Sequence, residues 1–525
     1  MKQKNFSISA LLSLFAVSTL MTGCAEEFDT SYPAGNKPAV VSEAELLAAY
    51  NTLVSYIDAA NFRLGNTLAS SDFDQGTVAA SLTLSNFNEV TIPDLYVHSA
   101  QVDAEGKIDT LAAASLVRDV AAKGINIFAP ALCASSNVNT SYLASLIQPV
   151  TVEEDEVTGN DVLDFEDVDL GITYSMQKAT GDEGKGDAVV EDDPVGESGH
   201  VVHVSKTSQS FPAITIKFPE GRKLGDYTDL SIDFYAVNNT AVNQKIFLAM
   251  GGKNNEFKKP SEYDCALNTW GRGLISIPLA ALAFSDNQMS QTEVTLVIGP
   301  KLTNCEYYID NITFTYKYRP TYEVEKTPEE KFELIGGELD NYIAAAMQSA
   351  PAINSWTVAD CPVTSSASLI WKQAMGNAYF GYAAKSMRAQ RSDAKLFVSE
   401  YLMDATVRTD FLNVLAEAEN VAKIDGIDVL MSITDSFDAT EFTTMLNELA
   451  ATGKLIRLTI QSITTDATAA AVVGQTVSTY KQQVQVGQQY GITFSSVIES
   501  ATNAGLWTTG YNRKAIYASV ADALK

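Results

Sequence analysis

The sequence is short of basic residues, histidine and cysteine, and each shortage excludes a class of function. Its 525 residues include 36 Lys and Arg against 64 Asp and Glu, which gives a formal net charge of −28. This balance argues against nucleic-acid binding, because phosphates require Lys and Arg to replace their counterions. It argues equally against electrostatic attachment to anionic lipid. Neutral ligands such as uncharged polysaccharides remain compatible with the composition.

The few cysteines and histidines form no motif for metal or redox chemistry. None of the five cysteines lies in a CxxC pair, and the sequence leaves open whether Cys265 and Cys305 form a disulfide. His200 and His203 lie in an alternating segment, so a strand would place them on opposite faces. The only candidate for a structural Ca²⁺ is the carboxylate cluster at residues 191–193, which could equally be a solvated acidic loop.

The N-terminus predicts a lipoprotein. Lys2 and Lys4 precede an apolar stretch at residues 6–20 that is too short to span a membrane. The segment LMTGC at 20–24 resembles a bacterial lipobox, which implies a signal peptide at 1–23 and a lipid on Cys24. A plain secretion signal with a chance cysteine is the alternative.

The linker at residues 24–41 begins with an acidic cluster, AEEFD at 25–29. Such a cluster resembles the surface-export signal of some Gram-negative outer-membrane lipoproteins, and a solvated linker is the alternative. No later run of 18 apolar residues occurs, so the lipid would be the only anchor. We therefore expect an outer-membrane lipoprotein that faces the cell exterior.

Two parts of the chain, residues 42–150 and 321–525, alternate between strand and helix patterns. The first helix is predicted at 43–59, and the helix at 111–123 is closed by Gly124. Together the two parts supply about eight strands, each followed by a helix or an insertion. This pattern predicts an α/β fold, a (β/α)₈ TIM barrel.

The segment between them, residues 151–320, reads as short strands with period-two alternation separated by turns. It predicts an all-β jelly roll or sandwich that interrupts the barrel after its third strand. Such an insertion is expected on the ligand-binding face, because the βα loops gather there.

The ordered motifs of the barrel resemble those of glycoside hydrolase family 10, the endo-β-1,4-xylanases. The matching segments are FNEVT (87–91), AKLF (394–397), IDGI (424–427), GITF (491–494), GLW (505–507) and RKAIY (513–517). Some members of that family carry a carbohydrate-binding module inserted after the third strand. The resemblance implies a barrel of this type with such a module and xylan as the natural ligand.

The resemblance also locates the catalytic positions, and neither holds a carboxylate. A retaining glycosidase needs an acid/base and a nucleophile about 5–5.5 Å apart. The family's WDVVNEP run reads WTVADCP here, which puts Cys361 at the acid/base position, and its ITELDI run reads LTIQSI, which puts Ile460 at the nucleophile position. Its HTLVWH, NEMK, QSH and WG segments read PALCAS (130–135), DLYV (94–97), LMS (430–432) and SS (495–496).

Other groups near strand ends could replace the lost pair. Carboxylates lie near the predicted carboxyl ends at Asp94, Asp360, Glu400, Asp435 and Glu499. They could equally be solvated or cap the following helices. Cys361 could act as a nucleophile only with a base beside it. Asp360 and Glu400 are the fallback catalytic candidates.

The insert offers side chains suited to binding sugar rings, which pack on aromatic faces while polar groups read their hydroxyls. The candidates are Trp270, Tyr263, Asn254, Asn255 and Tyr227. For Trp270, a packing role is as compatible with the sequence as a binding platform.

These patterns favour a non-catalytic surface glycan-binding lipoprotein that captures a plant polysaccharide, xylan or a related β-glycan, for an outer-membrane transporter complex. A working xylanase-like hydrolase with relocated carboxylates is the first alternative. A scaffold that binds another outer-membrane protein and no sugar is the second.

Overall fold

The computed structural model describes residues 39–197, 199–237, 245–257 and 266–525. The chain divides into two units. The barrel unit joins the chain up to Gln148 with Lys326–Lys525, and the insert is Pro149–Glu325. No helix in the described part of the chain is long and apolar enough to cross a membrane.

Eight parallel strands close into a barrel, which confirms the predicted fold. Gly491 permits the closure, because a Cβ there would lie 1.8 Å from the carbonyl oxygen of Arg63 on the neighbouring strand. Numbered along the whole chain, the barrel strands are β1 (Arg63–Thr67), β2 (Glu89–Thr91), β3 (Asn126–Cys133), β17 (Ser355–Asp360), β18 (Lys395–Glu400), β19 (Gly426–Ile433), β20 (Leu455–Ile463) and β21 (Gln489–Phe494).

Helices surround the strands. Their apolar faces and the outward side chains of the strands form one continuous core, in which Trp356, Trp371 and Ile460 are buried. The helices of the barrel unit are α1 (Ala39–Ala48), α2 (Ser70–Gln75), α3 (Val78–Asn86), α4 (His98–Gln101), α5 (Leu111–Ala121), α6 (Thr140–Leu146), α8 (Pro328–Ser349), α9 (Ile370–Met375), α10 (Tyr379–Gln390), α11 (Ala405–Glu419), α12 (Ala439–Ala450), α13 (Ala469–Gln483) and α14 (Ala515–Leu524).

The first helix ends earlier than its sequence predicts. Instead of running to residue 59, α1 stops at Ala48, and a separate 3₁₀ turn covers Leu53–Tyr56. The break places Leu53 in the core, fully buried, where its N–H donates to Asn86 Oδ1 at 3.3 Å. Tertiary packing overrides helix propensity here.

The insert follows α6 in the chain and precedes α8, so it interrupts the barrel between β3 and β17. Its elements are β4 (Val150–Glu153), β5 (Val157–Leu163), β6 (Met176–Lys178), β7 (Asp187–Asp192), β8 (His200–Lys206), β9 (Ser210–Lys217), β10 (Tyr227–Val237), β11 (Ile246–Met250), β12 (Lys253–Phe257), β13 (Trp270–Pro278), α7 (Asp286–Met289), β14 (Glu293–Pro300), β15 (Cys305–Tyr318) and β16 (Thr321–Val324).

Two antiparallel sheets make up most of the insert. One has the order β13-β10-β15-β8-β7 with β5 beside β15, and the other has the order β12-β11-β14-β9-β6. Inward side chains of both sheets, such as Ile232, Ile309, Leu248 and Leu296, share one core. A short third sheet pairs β4 with β16.

Candidate functional site

A cavity of about 320 Å³ opens at the carboxyl ends of the barrel strands. This is the end at which barrel enzymes place their active sites. Its polar lining consists of Thr67, Thr91, Ser136, Asn137, Thr357, Asp360, Ser399, Asp428, Arg457, Thr459, Gln461 and Ser495, and its apolar and aromatic lining includes Tyr96, Val97, His98, Phe128, Pro130 and Leu430.

Arg457 on β20 ties the floor of this cavity together. Its guanidinium donates to Asp428 Oδ2 and to the hydroxyls of Thr91, Thr459 and Thr493, each at 2.8 Å. It also lies 3.7 Å from the centre of the Phe128 ring. Only 2% of its surface is exposed, and its Nε, which has no hydrogen-bond partner in the described chain, lies 3.6 Å from Glu89 Oε1.

Asp428 is the carboxylate of that network that lines the cavity. Besides the bond from Arg457, it accepts from Thr459 Oγ1 at 2.7 Å and from Ser399 Oγ at 3.1 Å. These three donors hold the carboxylate in place. Its geometry fits a structural ion pair with Arg457.

Asp360, the last residue of β17, lines the cavity beside this network. It accepts from the backbone N–H of Ser135 at 2.6 Å and from the Ser135 hydroxyl at 2.9 Å. Burial raises the pKa of Asp360, and the two bonds from Ser135 oppose that rise. Asp360 therefore links the ends of β17 and β3 and presents its carboxyl group at the cavity wall.

Cys361, which the sequence resemblance aligns with the acid/base position, adopts a left-handed backbone conformation with φ +51°. Its N–H donates to the Ser399 carbonyl at 2.7 Å. Burial, followed by the charges of Glu400 and Asp360, raises the pKa of the thiol to about 12. A thiol that stays protonated at neutral pH is a poor nucleophile.

Glu400, at the end of β18, is fully buried and does not line the cavity. Its carboxylate accepts from Val363 N at 2.8 Å, Thr364 N at 3.1 Å and Thr364 Oγ1 at 2.6 Å, and from Tyr401 N at 2.9 Å. These four donors use its acceptor capacity and hold the loop that follows β17. Its position is that of a structural carboxylate.

Strand alternation on β20 separates Ile460 from the cavity. Ile460 is 1% exposed and packs in the core between strands and helices, whereas its neighbours Thr459 and Gln461 line the cavity. Gln461 Oε1 accepts from the Tyr401 hydroxyl at 2.8 Å. Next to the position that the sequence resemblance assigns to the nucleophile, β20 therefore presents an amide to the cavity.

The remaining carboxylate candidates have separate surroundings. Asp94 accepts from Ser70 N at 3.0 Å. Glu499 pairs with Lys514 Nζ at 2.6 Å, which lowers the pKa of this carboxyl group. Asp435 is exposed. None of the three lines the cavity.

His98 is a cavity-lining residue that sequence reasoning missed. Its Nδ1 accepts from Asn139 N at 3.1 Å, so the neutral ring carries its proton on Nε2. Burial lowers the pKa of His98 to about 4, and Nε2 has no hydrogen-bond partner in the described chain. The ring lies edge-on to Tyr342 and Trp371. In the sequence, the only indication that His98 lies at the cavity is its position directly after the segment at 94–97.

In the insert, Trp270 and Tyr227 are packed. Trp270 is 8% exposed, and its Nε1 donates to Asp193 Oδ1 at 3.0 Å. Tyr227 is 4% exposed, and its hydroxyl donates to Asp161 Oδ2 at 2.6 Å. In this conformation neither ring offers an open face to a ligand.

The other binding candidates differ in exposure. Asn254 and Asn255 lie exposed on β12, an edge strand of the second sheet. Tyr263 lies outside the described residues, as do the lipidation candidate Cys24 and the thiol of Cys265. The thiols of Cys133, Cys305 and Cys361 are free.

The three carboxylates at residues 191–193 of the insert have different surroundings. Glu191 lies 3.1 Å from His203 Nδ1, Asp193 accepts from Trp270, and Asp192 is exposed. Among the described residues no group of three or more His, Cys, Asp or Glu could hold a metal ion.

A comparison with protein families finds a match to part of the barrel. Residues 319–523 match Glycosyl hydrolase family 10. The family 10 match covers β17–β21 and their helices, including Asp360, Cys361, Glu400 and Gln461. No curated protein matches the chain.

Solved structures of family 10 enzymes resemble the chain in fold. An intracellular xylanase of Thermoanaerobacterium saccharolyticum, in a variant complexed with xylotetraose, is 12% identical, with a TM-score of 0.50 and coverage of 90% of this chain and 98% of that one. An endoxylanase from a sugarcane soil metagenome is 9% identical, with a TM-score of 0.49 and coverage of 91% and 100%. Xylanase B of Clostridium stercorarium is 12% identical, with a TM-score of 0.48 and coverage of 90% and 100%.

Proposed function

We propose that this protein binds a neutral glycan in the cavity at the carboxyl ends of the barrel strands and does not hydrolyse it. One observation carries the proposal: in the described part of the chain, both carboxylates that line the cavity are already bound by the fold, Asp360 by Ser135 and Asp428 by Arg457. Glycoside hydrolysis requires one carboxyl group to donate a proton and a second to attack or to activate water.

The chemistry of the lining supports a neutral ligand. Amides and hydroxyls of Asn137, Gln461, Ser136 and Thr357 can read sugar hydroxyls, while the cation Arg457 is occupied by its own network. The resemblance to xylanases makes xylan the first polymer to test, followed by other plant β-glycans.

We also propose that a lipid on Cys24 anchors the protein to the outer membrane, facing the exterior, where it delivers captured polysaccharide to a transporter complex. The lipobox-like segment at 20–24 and the acidic cluster at 25–29 support this location. Antibody should label intact cells, and an expressed protein that is labelled only after lysis would contradict surface exposure.

Affinity electrophoresis over a panel of plant polysaccharides, run beside a reducing-sugar assay, tests the binding proposal. We expect retardation by at least one glycan and no sugar release. Ser136→Trp would fill the cavity mouth and should abolish retardation. Ser81→Trp on the exposed face of α3 is the matched control and should migrate like the wild type.

The same gels locate the binding unit. The double substitution of Asn254 and Asn255 by Ala tests the exposed polar candidates on the insert. Loss of retardation there, with Ser136→Trp unaffected, would move the glycan site from the barrel to the insert. Absence of retardation by every glycan would refute the binding role and favour a scaffold that binds another protein.

Hydrolysis is a second candidate because Asp360 has one property of a general acid. Burial raises its pKa, as catalysis by a protonated carboxyl group at neutral pH requires. This candidate predicts reducing-sugar release by the wild type that disappears in Asp360→Asn. Release that persists in that variant would exclude Asp360 as the acid.

A further inference from the structure

A second cavity, of about 280 Å³, lies at the amino-terminal end of the barrel. Two cations line it: Arg63, the first residue of β1, and Lys395, the first residue of β18. These strands are four positions apart in an eight-stranded barrel, so the two side chains come from opposite sides of the mouth. The lining also includes Asn61, Gln489 and Tyr490.

Among the residues that the structure describes, no carboxylate lines this mouth. In the described part of the chain, neither Arg63 nor Lys395 forms an ion pair. Two acids lie nearby. Asp58 accepts from Asn61 Nδ2 at 2.7 Å, and Glu89, which is 1% exposed, accepts from the Tyr490 hydroxyl at 2.5 Å and interacts electrostatically with Arg63. Two unpaired like charges in one cavity repel each other. In a chain of net charge −28, two cations that share one cavity indicate a binding site for an anion.

The two cations are positioned differently. Arg63 Nη1 donates to the Ala59 carbonyl at 2.6 Å, which fixes the guanidinium and leaves its other N–H groups for a ligand. The Lys395 ammonium lies 5.7 Å from the centre of the Tyr490 ring. The planar guanidinium of Arg63 and the ammonium of Lys395 together suit a carboxylate, because a carboxylate can accept two parallel hydrogen bonds from a guanidinium.

We propose that this mouth binds a small carboxylate-bearing ligand, of the size of a single uronic acid. Its volume is just below the range of about 300–1,000 Å³ typical of small-ligand pockets, so a polymer could enter only by one unit. The Tyr490 ring forms an apolar floor, and Asn61, whose Nδ2 donates to Asp58, is exposed and keeps its amide oxygen for a ligand hydroxyl. The proposal does not rest on glycan binding at the other end of the barrel.

Isothermal titration of the full chain with glucuronate, acetate, inorganic phosphate and glucose tests this inference. We expect glucuronate to bind, glucose not to bind at this site, and added NaCl to weaken glucuronate binding. Arg63→Gln and Lys395→Gln should each weaken it about tenfold or more, since each removes a charged hydrogen bond. Lys123→Gln, an exposed lysine near the end of α5, is the matched control.

The other anions distinguish the sources of the carboxylate. Acetate that binds as tightly as glucuronate, with the same loss in both variants, would support the carboxylate site and show that the sugar ring adds nothing. Phosphate that binds more tightly than both would overturn the carboxylate assignment. Absence of carboxylate binding, or equal binding by wild type and Lys395→Gln, would overturn the proposal.

Discussion

His98 shows how a single buried residue couples stability to pH. The pKa of its ring is lowered to about 4 by burial, whereas the unfolded chain protonates it near 6.5. The stability that the neutral His98 ring contributes is therefore fully present above pH 6.5 and is lost as the pH falls towards 4. At pH 4.5 the free energy of unfolding should be about 2–3 kcal/mol lower than at neutral pH. Urea unfolding at pH 7 and 4.5 should show a smaller pH-dependent loss for His98→Gln than for the wild type. An unchanged difference between the two pH values would contradict this, and His200→Gln in the insert is the control.

Substitution of Glu400 tests whether this buried carboxylate has a structural role. Glu400→Gln replaces one acceptor oxygen by a donor, so at least one of the bonds from Val363 and Thr364 is lost inside the core. We expect a loss of about 2–3 kcal/mol in the free energy of unfolding. Glu417→Gln on the exposed face of α11 should change it by less than about 0.5 kcal/mol. Equal stability of both variants would contradict a structural role for Glu400.

Among the elements, α8 begins at a complete capping box. Thr327 Oγ1 accepts from Glu330 N at 3.1 Å, Glu330 Oε2 accepts from Thr327 N at 2.8 Å, and Pro328 occupies the first turn. Thr327→Ala should cost about 1 kcal/mol of unfolding free energy, measured by denaturant titration. Thr409→Ala in the interior of α11 is the contrast, because alanine is the better helix former there. A loss in Thr409→Ala as large as that in Thr327→Ala would argue against the cap.

Strands β19 and β20 are joined inside the barrel by Asp428 and Arg457. Arg457→Met would leave the Asp428 carboxylate buried without its cation, and we expect a loss of about 3–5 kcal/mol. The double variant with Asp428→Asn should be more stable than the sum of the two single losses predicts. Thermal and urea unfolding of all four proteins measures this coupling. Strict additivity would show that the ion pair contributes no interaction of its own.

For the molecule as a whole, the sequence predicted the barrel better than its site. The segments 396–398 and 491–494 became strand segments because their residues are buried on both faces. The partners of polar groups were not predictable, since Ser135 and Asp360 lie 225 residues apart and meet only in the closed barrel. Burial of Trp270 depends in the same way on Asp193, 77 residues away.

The two units also predict how the molecule can be divided. The insert has its own core, and its first and last strands pair, with Val150 opposite Val324 and Glu153 opposite Thr321. Its chain ends are therefore about 5 Å apart at that sheet, as an excisable domain requires. A fragment covering Pro149–Glu325 should fold alone, with a β-type circular dichroism spectrum and one cooperative thermal transition. A fragment that starts at Asp164 lacks β4 and β5, loses the seven pairings of β5 with β15, and should melt at a lower temperature. If the full fragment were unfolded, the insert would depend on the barrel unit for its stability, and its own core would be insufficient.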